Sequence, residues 1–239
     1  MPLPKISTPT YELELPSTGK KIEYRPFLVR EEKLLVLALE SQDTKQISTA
    51  IKNVIKNCIE TKGIKVEALP TFDIEYLFLN IRGKSVGEEI EVNIICPDDD
   101  RSTVLTKINV DDIQVQKNPD HNNKIKLDDT LMMEMKYPSL DQFVKSNFDL
   151  ESDNNMEQSF ELIASCIDKI YNEEEVWVAA DVTKKELNEF LDQMNTTQFK
   201  QIEKFFETMP KLSHTVTVKN PNTGVESEVV LEGLSSFFA

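Results

Sequence analysis

Asn123 to Lys145 lies against Tyr11 to Lys33 without a gap, and this match constrains the chain more than any other feature of its sequence. Leu127 then meets Leu15, Thr130 meets Thr18, Pro138 meets Pro26, Leu140 meets Leu28 and Lys145 meets Lys33. Beyond that stretch the order of elements repeats, with offsets that drift where loops absorb insertions. In the first half, Y-E-L-E-L at Tyr11 to Leu15 and K-I-E-Y at Lys21 to Tyr24 alternate as strands. They flank P-S-T-G, whose Gly19 tolerates the positive φ of a tight turn. Arg25-Pro26 ends this hairpin and favours a helix start.

Helices are expected next. Glu31 to Glu40 carries Leu34, Leu35, Leu37, Ala38 and Leu39, and Ile47, Ala50, Ile51, Val54, Ile55, Cys58 and Ile59 form a cleaner amphipathic stripe. A third helix, starting after Thr71 with Phe72, Ile74, Tyr76, Leu77, Phe78 and Ile81, is apolar on more than one face and is expected to be buried. A second hairpin runs from about Glu89 to Ile95 and from Thr103 to Val110, turning over P-D-D-D. The second half offers counterparts: the stripe Phe160, Ile163, Ala164, Ile167, Ile170 and Tyr171, with Cys166 answering Cys58; Ile202-Glu203 with Phe205 and Phe206; and a hairpin Thr215 to Val218 and Val225 to Leu231 over N-P-N-T-G. Thr183 to Glu186 and Ser139 to Gln142 fit the capping box. The fold class expected is α+β, two similar modules, each of β-hairpins plus amphipathic helices, related by internal duplication. The boundary falls in the polar stretch Lys117 to Lys124, giving modules 1–118 and 119–239, and Glu151 to Asn155 reads as a solvated loop.

Scarcity limits the chemistry. The chain has 6 Gly, 2 His and 3 Cys, and a net charge of −15. So acidic a surface repels phosphates and disfavours both nucleic-acid binding and anionic membranes. No run approaches the roughly 20 apolar residues of a spanning helix, the opening M-P-L-P-K-I-S-T-P has no signal-peptide core, and three unspaced cysteines fit reduced thiols in a cytosol. Gly83-Lys84-Ser85 echoes the end of a P-loop, but Phe78 stands where the first glycine belongs and the strand-to-helix order is reversed, so Gly83 is read as a helix C-cap. Asp98-Asp99-Asp100 lacks the spacing of a calcium loop and reads as a solvated hairpin tip, as do Asp111-Asp112, Asp128-Asp129 and Glu173-Glu174-Glu175. Cys96 has no second cysteine nearby, and Cys58 and Cys166 sit on apolar stripes, so no zinc or other cofactor is expected. His121 and His214 stand outside any nucleophile setting.

Two features invite a partner. Val229 to Phe238, V-V-L-E-G-L-S-S-F-F, places Leu234, Phe237 and Phe238 either in the core or in a partner's groove. Trp177, in E-V-W-V-A-A, reads as core or as an interface anchor. Core is the simpler reading of both, and the four residues are carried forward as candidate partner-binding positions.

K-I-E-Y-R-P-F-L-V-R-E-E-K from Lys21 to Lys33, T-F-D-I-E-Y-L-F-L-N-I-R-G-K-S-V-G from Thr71 to Gly87 and the terminal V-V-L-E-G-L-S-S-F-F resemble the baseplate hub assembly proteins of T-even-like contractile-tailed bacteriophages. The likeness runs from about Pro9 to Phe238. It implies a non-enzymatic protein made in the infected bacterium and required to build the central hub of the tail baseplate. The role expected on that basis is a tail assembly factor, a chaperone or scaffold in the host cytoplasm, holding a baseplate hub or tape-measure protein through the aromatic helix and neighbouring hairpin of one module. The resemblance offers no catalytic residues to carry over, and together with the acidic charge and the missing metal spacing the expectation is no cofactor, no nucleic acid, no membrane and no small-molecule substrate. The alternatives are a structural hub component retained in the mature virion and, more weakly, a peptidoglycan-active hydrolase.

Overall fold

The computed structural model describes residues 6–142 and 155–237, and within them the chain is α+β, its strands all in small antiparallel sheets. It divides into two compact units, one of residues 1–116 and 211–239 and one of residues 117–210.

In the first unit, β1 (Tyr11–Glu14) and β2 (Lys21–Tyr24) pair from Tyr11↔Tyr24 to Glu14↔Lys21. Gly19 takes φ 70° in the turn between them. The chain then forms α1 (Val29–Ser41) and α2 (Thr44–Cys58). Asp43 starts α2 by accepting the amides of Lys45 at 2.8 Å and Gln46 at 3.3 Å. As α2 ends, the Arg25 amide donates to the Cys58 carbonyl at 2.9 Å and Tyr24 bridges to Ile59, tying the hairpin to the helix pair.

The third helix, α3 (Thr71–Val86), is central, as its all-round apolar pattern predicts: Phe72, Ile74, Leu77, Phe78, Leu79 and Ile81 are buried. Its first turn holds the tip of the first hairpin, because the buried Asp73 carboxylate accepts from the Ser17 amide and hydroxyl. The sequence reading of Gly83 needs correction. The helix runs on to Val86, and Gly87, at φ 125°, is the cap. Gly83 lies inside the helix, where a Cβ would stand 3.2 Å from a methyl of Val110, so the glycine serves close packing.

After α3 comes the hairpin of β3 (Glu89–Ile95) and β4 (Thr103–Asn109), then β5 (Gln114–Gln116). The chain leaves this unit after β5 and returns as β10 (Lys211–Lys219) and β11 (Glu226–Glu232), forming a sheet of order β11-β10-β5. This division differs from the linear one read from the sequence. The chain does change unit beside the polar stretch expected to mark a boundary, but the last hairpin, matched there to β3–β4 in another module, shares a unit with it. Register explains why: Lys211, Leu212 and Ser213 pair with Gln116, Val115 and Gln114. Ile90, Val92, Ile94 and Ile108 from one hairpin and Val216, Val218 and Leu231 from the other line a single core.

The second unit is contiguous. Its sheet, of order β6-β7-β8-β9, comprises β6 (Lys124–Lys126), β7 (Met132–Met135), β8 (Ile167–Tyr171) and β9 (Val176–Val178). Around it are α4 (Asn155–Cys166), α5 (Lys184–Asp192) and α6 (Thr196–Thr208). Thr183 and Glu186 make the expected capping box, and at the other predicted box the Ser139 amide donates to Gln142 at 2.8 Å. The core gathers Met133, Met135, Ile163, Cys166, Ile167, Leu191, Ile202 and Phe205. One local likeness between the halves is visible. The Lys136 amide donates to Cys166 at 2.7 Å, as Arg25 does to Cys58, and Met135 pairs with Ile167 as Tyr24 does with Ile59. The likeness stops there, because β8 and β9 form a hairpin with no counterpart after α2. Of the loop predicted at Glu151 to Asn155, residues 151–154 lie outside the described residues, and Asn155 opens α4 rather than ending a loop.

Candidate functional site

The string R-P-F-L-V-R-E-E turns out to be architectural. Glu31 is fully buried, and its Oε1 accepts from Arg30 Nε at 2.7 Å and from an Arg25 guanidinium nitrogen at 3.1 Å. Its Oε2 accepts the Leu28 amide at 2.9 Å, filling an orphan donor at the start of α1. Arg25 also donates to the carbonyls of Pro26 at 2.8 Å and Asn57 at 2.9 Å. Burial opposes the charge on Glu31, but hydrogen bonds from Arg30, Leu28 and Arg25 outweigh it and hold the carboxyl below its usual value.

Several of the candidate reactive groups have structural partners. Gly83-Lys84-Ser85 lies within α3, where the Ser85 hydroxyl donates to the Ile81 carbonyl at 2.5 Å and accepts the Phe27 amide at 2.9 Å. Asp98 and Asp99 stand in an exposed hairpin tip, as expected, but both are also hydrogen-bonded: Asp98 joins this tip to that of the β10–β11 hairpin, and Asp99 closes its own turn. Asp98 accepts from Asn220 at 2.9 Å and Thr223 at 2.5 Å; Asp99 accepts the Ser102 hydroxyl at 2.5 Å and its amide at 2.9 Å. Hydrogen bonds, from Thr223 to Asp98 and from Ser102 to Asp99, lower both carboxyls. All three cysteines are free and buried, and burial pushes the Cys58 and Cys166 thiols up to about 11. Among the described residues no group of three or more His, Cys, Asp or Glu side chains is placed to hold a metal, and no helix is long and apolar enough to cross a membrane.

His121, which sequence position marked as a polar loop residue, stacks at 5.6 Å on Tyr137 and lies 5.2 Å from the ring of Phe205. Its Nδ1 is 3.0 Å from the Thr208 hydroxyl and its Nε2 2.9 Å from the Tyr137 hydroxyl. Burial lowers its basicity. Through these two hydroxyls the histidine ties together the two ends of its unit.

Of the candidate partner-binding residues, Phe237 is 2% exposed and packs in the first unit's core. Leu234 is half-buried, and its amide donates to Glu75 of α3 at 3.1 Å. Phe238 lies outside the described residues. The aromatic helix is not a free surface either, since Phe72 and Phe78 are buried. Trp177 is different: it is 40% exposed, on β9, at the edge of its sheet.

A larger apolar surface escaped the sequence reading. In α1 the run Leu34–Leu39 is L-L-V-L-A-L, and six successive residues span the full circumference of a helix. Only Ala38 of the run is buried, while Leu34, Val36, Leu37 and Leu39 are 46% to 63% exposed, with Val29 exposed near the start of the helix. A helix apolar all round is ordinarily enclosed. This one packs along α2 and leaves the rest of its apolar girth uncovered, the mark of an interaction surface.

Neither curated proteins nor solved structures provide a match to this sequence. A family model does, described as T4 bacteriophage base plate protein and matching residues 8–239. The matched stretch takes in the buried Arg25–Glu31–Arg30 cluster, the central α3 and both units, and so the chain belongs to the T4 bacteriophage base plate protein family.

Proposed function

We propose that this baseplate-family protein is a non-enzymatic assembly factor, a chaperone or scaffold, that binds hub or tape-measure proteins in the host cytoplasm while the baseplate hub is built. The observation that carries the reading is the uncovered apolar girth of α1. Covering a fully exposed Leu or Val is worth ~1.5–3 kcal/mol. Four side chains already about half covered therefore hold roughly 4 kcal/mol in reserve for a partner. The acidic surface suits a partner that is basic or prone to aggregate before assembly.

The test is pull-down of hub and tape-measure proteins by the wild-type chain and by a Leu34→Glu/Leu37→Glu variant. Capture by wild type and its loss in a variant with an unchanged melting curve support the reading. Equal capture by both removes α1 from it. Mass spectrometry of purified mature tails separates the assembly factor, expected to be absent, from a hub component retained at stoichiometric copy number.

A further inference from the structure

In the second unit a hollow of about 320 Å³ opens beneath Trp177, walled by Ile167, Ile170, Val182, Leu187 and Phe190. Glu186 is the one charged residue lining it, and its carboxylate is already bonded to Thr183. So apolar a hollow lacks the convergent polar groups that orient a small ligand. The polar groups stand beside it instead. Among the described residues β9 pairs on one side only, with β8, through Lys169↔Val178, Ile170↔Trp177 and Tyr171↔Val176. At the turn the Asn172 amide donates to Glu175 at 3.0 Å. Hydrogen-bonded and non-bonded pairs alternate from that point, so the amides of Val176 and Val178 and the Val176 carbonyl point away from the sheet.

The two edges of this sheet are managed differently. β6 reads K-I-K, with flanking lysines of the kind that discourage strand addition. β9 reads V-W-V, all three residues exposed and uncharged. Around β9 the charge is predominantly acidic: Glu173, Glu174, Glu175 and Asp181 are exposed nearby, with Glu186 at the hollow, while of the neighbouring lysines Lys169 is paired with Glu134 and Lys185 with Glu189. A second copy of the chain would bring these acids against themselves.

We propose that the β9 edge takes an extended segment of a partner protein as an added strand, the segment placing one large apolar side chain in the hollow beneath Trp177 and Lys or Arg residues against Glu173 to Glu175. This deepens the assembly role proposed above and rests on it only for the source of the partner. Backbone bonds along the edge would give affinity, the hollow and the acids selectivity.

Trp177 is the only tryptophan of the chain, so its emission reports the site directly. The probe is the end-blocked peptide KRVLVRK, titrated into the full-length protein in low salt. The expected results are a blue shift of the emission, at least tenfold weaker binding of an analogue with Glu at every cationic position, and a similar loss with Ser for the central Leu. A Glu173→Gln/Glu174→Gln/Glu175→Gln variant, altered only in an exposed turn, should bind about tenfold more weakly with an unchanged circular dichroism spectrum. The proposal is overturned if KRVLVRK causes no shift at saturating concentration, if the acidic analogue binds equally well, or if light scattering shows the protein alone to be a dimer that already buries Trp177. No hub protein enters this assay, so its failure leaves the α1 pull-down standing.

Discussion

Glu75→Gln tests the packing of the last turn of the described chain against α3. Glu75 is half-buried, its Oε1 accepts the Leu234 amide at 3.1 Å, and Gly233 lies so close that a Cβ there would stand 3.3 Å from the same oxygen. Burial pushes the carboxyl from 4.5 up to about 7, against the lowering effect of the Leu234 bond. The sign follows from proton counting. Between pH 4.5 and about 7 the native protein holds a proton that the unfolded chain has released, so stability falls as pH rises through that window. At ~1.4 kcal/mol per pH unit the full span corresponds to at most about 3 kcal/mol. A glutamine keeps the shape and an oxygen acceptor for Leu234 but cannot ionise. Urea unfolding midpoints for wild type and variant, measured from about pH 4 to pH 8, should therefore coincide at the acid end. They should separate progressively, the variant becoming more stable by up to about 3 kcal/mol near neutrality. Other carboxylates cancel in the difference. A difference that does not change with pH would refute the reasoning.

Glu31→Ala leaves the Arg25 guanidinium, 8% exposed as a residue, without its carboxylate. A loss of about 3–5 kcal/mol is expected from breaking a buried pair, read as a drop in melting temperature. Because the Glu31 carboxyl is held below 4.5, its contribution is present above that pH and is lost as pH falls through the lowered native value. For His121 the burial-lowered basicity means that the unfolded chain takes up a proton below 6.5 before the native one does. Stability of the second unit should fall as pH drops from 6.5, and His121→Phe, which keeps the ring packing, should abolish that slope while costing about 1–2 kcal/mol for the two hydrogen bonds lost to Tyr137 and Thr208; hydrogen exchange in α6 checks both.

Local signals in the sequence were strong wherever one physical cause decided the outcome. Alternation and a turn glycine give β1 and β2 almost to the residue, and the 3.6 period gives α2. The Thr183 box marks the start of α5. Gly83 was misread because a glycine near the end of a helix looks the same whether it caps the chain or admits Val110. Unit membership was not legible for a different reason. The pairing of Lys211 with Gln116 is a contact between distant residues, and neither local pattern changes when it forms. Of the surfaces, Trp177 announced itself as a lone aromatic after three acids. The α1 run was equally visible as L-L-V-L-A-L, but a stretch of leucines reads as core until the structure shows how little covers it.

The place where the chain leaves and re-enters the first unit bears on how it folds. β5 and β10 pair across everything from residue 117 to residue 210. Were that stretch a flexible loop, closing it would cost about 3 kcal/mol more than closing a short hairpin turn, since each doubling of length adds ~0.6 kcal/mol. The folded second unit removes much of that entropy. His121, near its entrance, is held to Thr208, near its exit, so the two ends are already gathered when β10 seeks β5. The contiguous unit can thus form first, and its folding acts as a clasp that raises the effective concentration of β10 beside β5 and makes the completion of the first unit cooperative with its own.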